Sequence, residues 1–156
     1  MPPEIVAVPL SEKSDLWAMF QTYAAELASM VNMTPVDGVY PYEPYDNYWR
    51  EERHWPFWAV RDGTRIGFAL VRFAPELNAM QMAEFFVLPA HRKGGNGLLF
   101  ARGLLARFPG LWKIRQIVAN KGATTFWRRV VEPYGYTEEM FPHKGIDRIE
   151  QMLTVR

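Results

Sequence analysis

Between the apolar stretch MAEFFVLP and the run GLLFARGLLARF stands His91-Arg92-Lys93-Gly94-Gly95-Asn96-Gly97, with three glycines and two permanent cations. Few folds accommodate such a run. The preceding residues have the composition of a buried strand. The following ones place Leu98, Ala101, Leu105 and Phe108 on one helical face, ended by Pro109-Gly110. A glycine loop at the carboxyl end of a strand and the start of a helix exposes N–H groups that have no intrahelical partner. It is therefore a site where an anion, above all a phosphate, can be held.

The rest of the chain reads as strands and helices around this centre. EIVAVPL predicts a first strand. From Ser11, the spacing Leu16, Phe20, Tyr23, Leu27, Val31 predicts a helix with one buried stripe, capped by Ser11 or Ser14. Pro41 and Pro44 interrupt the next segment, where four tyrosines fall between Tyr40 and Tyr48, and a short helix is expected around Tyr48 to Trp55. FWAVRD, a turn at Gly63, and RIGFALVRFA predict a β-hairpin, and MQMAEFFVL a further strand. LWKIRQIVA, TTFWRRVV and IEQMLTV then predict strand, helix and strand. This order argues for an α/β domain with a mixed sheet and helices on its faces, in one unit over residues 1–156.

Charge sharpens the expectation. Residues 1 to 60 carry three Lys/Arg and nine Asp/Glu, whereas Phe85 to Val131 contain nine Lys/Arg and no acid. A basic block around a glycine loop points to an anionic partner. With no cysteine, disulfides, thiolate metal sites and a cysteine nucleophile are excluded. His54, His91 and His143 lack metal-ligand spacing, so no metal is expected. No apolar run approaches a membrane span, and the start lacks a basic leader region. A cytoplasmic protein without membrane partners is the expectation.

The letters separate the phosphate loops. There is no Gly-Lys-Ser or Gly-Lys-Thr for a Walker A loop and no GxGxxG for a dinucleotide fold. What is present is Val87-x-Pro89-x-x-Arg92-x-x-Gly95-x-Gly97, followed downstream by Asn120, Ala123, Phe126 and Trp127. This set resembles the acetyl-CoA loop and following strand and helix of the GNAT N-acetyltransferase superfamily. The motifs cover about residues 84 to 135. The resemblance implies a mostly antiparallel central sheet, splayed at its middle, with helices on both faces. It implies acetyl-CoA as co-substrate, with Arg92, Lys93, Gly94, Gly95, Asn96 and Gly97 around the pyrophosphate. The backbone of Phe86, Val87 and Leu88 would pair with the pantetheine arm, and Asn120, Phe126 and Trp127 would lie along it. Asn120 reads equally as an ordinary strand-end turn residue.

Acetyl transfer to an amine requires a neutral nitrogen, whereas an alkylamine of pKa about 10.4 is neutral in only about one molecule in 2,500 at pH 7. A general base removes that obstacle. Glu84, on the strand leading into the loop, is the candidate, with pairing to Arg72 or Arg115 as the purely structural alternative. Tyr40, Tyr42, Tyr45, Tyr48, Trp49 and Trp55, among Asp37, Glu43, Asp46, Glu51 and Glu52, suit a cationic acceptor, a small amine or a peptide amine, with Tyr40, Tyr45 and Trp49 the candidates to hold it. Many relatives carry a tyrosine acid seven residues after the strand-end asparagine. Here that position is Trp127, so Tyr134 is the candidate acid. Ser11, Ser14 and Ser29 all lie in the first helix region and there is no nucleophile elbow, so direct attack in a ternary complex is expected. A catalytically silent acyl-CoA sensor is the second reading, single-strand nucleic-acid binding through the basic block the least favoured, and a homodimer is left open.

Overall fold

The computed structural model describes residues 1–156. Seven strands, β1 (Glu4–Ala7), β2 (His54–Arg61), β3 (Thr64–Ala74), β4 (Ala79–Val87), β5 (Gly110–Ile117), β6 (Thr137–His143) and β7 (Ile146–Val155), form one sheet in the order β1-β2-β3-β4-β5-β7-β6. Every pairing is antiparallel except β4 with β5. Four helices cover it: α1 (Lys13–Ala28), α2 (Asn47–Arg50), α3 (Asn96–Arg107) and α4 (Lys121–Val131).

Each face of the sheet carries its own core. Leu16, Phe20 and Ala24 of α1, with Tyr45 and Tyr48 around α2, pack on Trp58, Phe68, Leu70 and Phe86. On the opposite face, Phe100, Ala101, Leu104 and Leu105 of α3 and Trp127, Val130 and Val131 of α4 pack on Phe57, Ala69, Val71, Met82, Trp112 and Ile114. Burying each large side chain contributes about 1.5–3 kcal/mol. The alternation of neighbours such as Phe57 and Trp58 between the two cores is the period-2 consequence of strand geometry.

Two irregularities make the site. Along β3 and β4 the register passes from Leu70↔Glu84 to Val71↔Met82, leaving Ala83 as an extra residue, a β-bulge. The bulge lets Met82 and Phe85 both face the α3–α4 core while Glu84 and Phe86 turn toward α1. Then β4 and β5 pair only at Met80↔Trp112 and Gln81↔Lys113. Beyond that point they part, and the divergence leaves a cleft through the middle of the sheet.

Several local expectations are corrected. Neither Ser11 nor Ser14 caps α1: a 3-10 turn over Leu10–Glu12 leads into it, and no side chain bonds its first amides. The helix ends at Ala28, short of Val31. The expected helix from Tyr48 to Trp55 is limited to Asn47–Arg50, because the Arg53 carbonyl accepts from Phe73 N–H at 3.0 Å and the chain has already joined the sheet. Strand β6 was not expected; its sequence TEEMFPH is almost wholly exposed and has no apolar alternation.

Candidate active site

The glycine loop lies where strand β4 meets helix α3. Gly94 and Gly95 have φ of +89° and +83°, the left-handed region that glycine enters without a Cβ penalty. Gly95 is the N-cap of α3, and the first helical bond runs from Leu99 N–H to the Gly95 carbonyl at 3.0 Å. The N–H groups of Asn96, Gly97 and Leu98 therefore have no intrahelical partner. Gly97 is glycine for a different reason: it is helical, and a Cβ there would stand 3.1 Å from the Phe126 ring. It admits close packing between α3 and α4.

Side chains brace this loop. Arg92 donates from Nε to the Val87 carbonyl at 2.9 Å and pairs with Glu26 of α1 at 2.7 Å. The Asn96 carboxamide accepts from Arg61 at 3.0 and 2.5 Å and donates to the His91 carbonyl at 3.1 Å. Its side chain is thus committed to the scaffold, and only its backbone N–H remains for a ligand. Lys93 is exposed and unpaired.

Beside the loop, the splay holds a cavity of about 600 Å³, walled by Phe85, Phe86, Val87, Arg92, Gly97, Ala119, Asn120, Ala123, Phe126 and Trp127, with Tyr23 and Leu27 of α1, and Met30 just after it, opposite. Leu88 donates its N–H to Ile66 of β3 at 2.8 Å, so by strand alternation Leu88 and Phe86 direct their backbone groups to β3. Phe85 and Val87 direct theirs into the gap. The expected backbone set is thereby shifted: Leu88 does not wall the cavity, and Phe85 takes its place. Asn120 serves as N-cap of α4, its Oδ1 accepting from Ala123 N–H at 3.1 Å. The structural role foreseen for it is thus real, and only its Nδ2 is left to face the cleft.

A second cavity, of about 660 Å³, continues from the first. Tyr23, Leu27, Phe85, Asn120, Ala123 and Trp127 wall both. Glu84 sits in the second cavity near this junction. It is half-buried, and the Tyr23 hydroxyl donates to its Oε2. Burial raises its pKa to about 7, and hydrogen bonds from Tyr23 and Tyr42 and the attraction of Arg148 only partly offset that rise. The tyrosines around it, Tyr23, Tyr42 and Tyr48, all have raised pKa values, first through burial and then through the Glu84 charge. The purely structural alternative for Glu84 is not met. Arg72 pairs with Glu76 and bonds Gln81, and Arg115 pairs with Glu150 at 2.6 Å.

The expected acceptor residues are corrected. Tyr45 is buried, with its hydroxyl donated to the Lys13 carbonyl at 2.7 Å. Trp49 donates its indole N–H to the Val8 carbonyl at 3.0 Å, and the Tyr40 backbone is clamped by Gln21. None of the three walls either joined cavity, since their hydrogen bonds close the α1 side of the fold. The acids of that segment are also elsewhere, Asp46 on Lys13 and Glu43 on a separate surface pocket. Tyr134 is corrected too: the 3-10 turn Glu132–Tyr134 packs it against the α3–α4 core, away from the cleft. Tyr42 and Tyr48, of the aromatic segment read as the acceptor roof, do wall the second cavity, whereas Tyr23 and Arg148 were missed. The signal for Tyr23 was present, a hydroxyl at a buried helix position where Leu would suffice. Arg148 joins the tyrosines only through the tertiary fold.

The basic block does not form a continuous surface. Arg102 bonds the carbonyls ending α4, Arg107 lies over Phe57, and Arg128 pairs with Glu138. Arg92 and Lys121 alone among its members wall the cavity beside the loop.

A bulged strand, a splayed parallel pair and a glycine-capped helix define an acyl-transfer fold with a two-ended cleft. The model of the GNAT family of acetyltransferases matches residues 17–131, and the chain belongs to that family. Among solved structures it is similar to an acetyltransferase from Thermus thermophilus (13% identity, 99% of this chain and 98% of that one, TM-score 0.75). It is likewise similar to the ribosomal-protein-alanine N-acetyltransferase from Brucella melitensis (15%, 97% and 99%, TM-score 0.65). A third is the spermidine N-acetyltransferase from Vibrio cholerae in complex with CoA and spermine (14%, 97% and 95%, TM-score 0.63). No curated protein sequence matches the chain. No helix is long and apolar enough to cross a membrane.

Proposed function

We propose that the chain transfers an acetyl group from acetyl-CoA directly to the primary amine of a small molecule or peptide, with Glu84 as general base. The observation that carries this reading is a carboxyl group of pKa about 7 beside the junction of two cavities, one of which begins at an anion-ready helix start. The residues present fit CoA: free amides at Asn96, Gly97 and Leu98 suit phosphate, and the apolar wall of Phe85, Val87, Phe126 and Trp127 suits the pantetheine chain. When bound, acetyl-CoA supplies a thioester carbonyl open to attack by an amine, with the thiolate leaving.

The protein's own residues then have definite tasks. Glu84, about half ionised near pH 7, takes a proton from the ammonium form of the acceptor on one carboxylate oxygen, while Tyr23 holds the other. Phe85 and Trp127, in edge-to-face contact at 5.0 Å, exclude water from the junction. Trp127 offers an indole N–H, a donor but no acid. A thiol of ordinary pKa near 8.5 leaves as thiolate at a cost of roughly 2 kcal/mol at pH 7, so no dedicated acid is required. Direct attack suits a cleft without a cysteine or an activated serine. The raised pKa of Glu84 favours an enzyme over a silent acyl-CoA sensor.

The test has two parts. CoA at millimolar concentration raises the melting temperature of the wild-type protein and leaves that of Gly95→Asp unchanged. A panel of amines is then screened for thiol release from acetyl-CoA. An unmoved wild-type melting curve would remove the basis of this reading.

A further inference from the structure

The acceptor cavity is cationic. Arg72, Arg115, Lys144 and Arg148 wall it, and Glu84 is its one acid. Two of the cations are satisfied within the fold, Arg72 by Glu76 and Arg115 by Glu150. Arg148 is not. It forms no ion pair, and its Nε is buried without any hydrogen-bond partner.

Strand register shows where Arg148 points. Ile117 and Arg148 are partners across β5 and β7, as are Arg115 and Glu150 two residues away, so these side chains share one face of the sheet. Arg72 and Gln81, partners across β3 and β4, lie on the same face as Leu70 and Glu84, the α1 side. The cleft floor is therefore a polar strip in which Arg148 stands across the splay from Glu84, within range of its charge. The neighbouring acids are engaged or absent: Glu150 is on Arg115, and Glu139 and Asp147 do not wall the cavity.

A buried guanidinium N–H with no acceptor is costly and rare in folded proteins. Arginine is also the side chain best shaped to hold an oxyanion by two parallel hydrogen bonds. Resting on the acetyltransferase reading of this cleft, we propose that the acceptor is an amine that also carries an oxyanion, a carboxylate or a phosphate-type group, seated on Arg148. This reverses the cationic acceptor expected from the acids around Tyr40 to Glu52. The seated anion has a second effect. It cancels the attraction by which Arg148 favours ionised Glu84, so the base is stronger when the correct acceptor is present.

Three probes of similar size separate the cases: 4-aminobutyrate, its uncharged amide 4-aminobutyramide, and 3-aminopropylphosphonate. Binding of each is measured by calorimetry to wild type, Arg148→Gln and Arg148→Lys, with and without CoA, and turnover is followed by thiol release. At least one anionic probe is expected to exceed the amide by about tenfold or more in affinity and in kcat/KM, the scale of one hydrogen bond to a charged group. The ratio of carboxylate to phosphonate identifies the anion. Arg148→Gln brings the anion-to-amide ratio toward one, and Arg148→Lys restores part of it. Equal binding of amide and anions by wild type, a preference that survives Arg148→Gln, or no saturable binding of either anion at millimolar concentration would overturn the proposal. Measurement without CoA keeps it separate from the acetyltransferase reading: loss of the CoA-induced melting shift defeats that reading, whereas anion binding at Arg148 is decided independently.

Discussion

In the proposed mechanism Glu84 is the general base, and with burial raising its pKa to about 7 its two protonation states are nearly balanced near neutral pH. As general base it must be ionised, so kcat/KM is expected to rise with pH through about 7 and then level off. Glu84→Gln should lower turnover by about 10²-fold or more, abolish that limb and leave the CoA-induced melting shift intact; a pH profile unchanged in the mutant would assign the base elsewhere. Tyr23→Phe removes a hydrogen bond that favours the ionised carboxylate, so the limb should move to higher pH, the direction that tells a positioning role from a packing one. The same group affects stability with a definite sign. Its folded pKa lies above the unfolded value, so its contribution to stability is fully present below about pH 4.5 and is lost as pH rises through about 7. Glu84→Gln should therefore be more stable than wild type at pH 8, by up to about 3 kcal/mol, and show no such gain at pH 4. Denaturant titrations at the two pH values check it.

At the scale of elements, the site is made by where strand β4 stops pairing. Phe86 and Leu88 bond to β3, whereas Phe85 and Val87 turn their amides into the splay. Amide hydrogen exchange should be slow at Phe86 and Leu88 in all states. At Phe85 and Val87 it should be fast in the free protein and slowed by CoA; protection at Phe85 and Val87 without ligand would contradict the open edge. The glycine loop carries a related expectation. Gly95→Ala places a Cβ at φ +83°, so a loss of roughly 1–2 kcal/mol in stability is expected even without ligand. Gly95→Asp adds a negative charge at the helix start and should cost CoA affinity beyond that loss.

Over the whole molecule, two cores share one sheet. Trp58, Phe68 and Phe86 serve the α1 side, while their strand neighbours Phe57, Ala69 and Phe85 serve the α3–α4 side. Neither core can lose its strands without exposing the other. We therefore expect a single cooperative unfolding transition over residues 1–156, with far-ultraviolet circular dichroism and tryptophan fluorescence superimposing. Phe100, fully buried beneath the sheet, should cost about 3–5 kcal/mol when changed to Ala while preserving that single transition. Separate midpoints for the two probes would show that the halves unfold independently.

Local chemistry written in consecutive residues was legible without coordinates. The anion-ready helix start follows from HRKGGNG between a strand and a helix, the two-faced sheet from the period-2 strands, and α1 from its helical stripe, because each depends on neighbours within a few positions. Glu84 was also recoverable, since a carboxylate three residues before Val87 stands out in an apolar strand. What faces Glu84 was not. The Ala83 bulge changes the side on which later residues emerge, yet no letter marks it. Strand β6 has both faces largely in water, so only its hydrogen bonds to β7 define it. Tyr45 and Trp49 read as ligand contacts in the sequence, whereas in the fold their polar atoms are bonded to the backbone of Lys13 and Val8. Arg148 comes within range of Glu84 across 64 residues of chain, through two strands that pair with different neighbours. Hydrogen-bond partners and charge neighbours between distant segments are properties of the folded surface, and only the tertiary structure turns a cleft rimmed in sequence by acids into one floored by arginine.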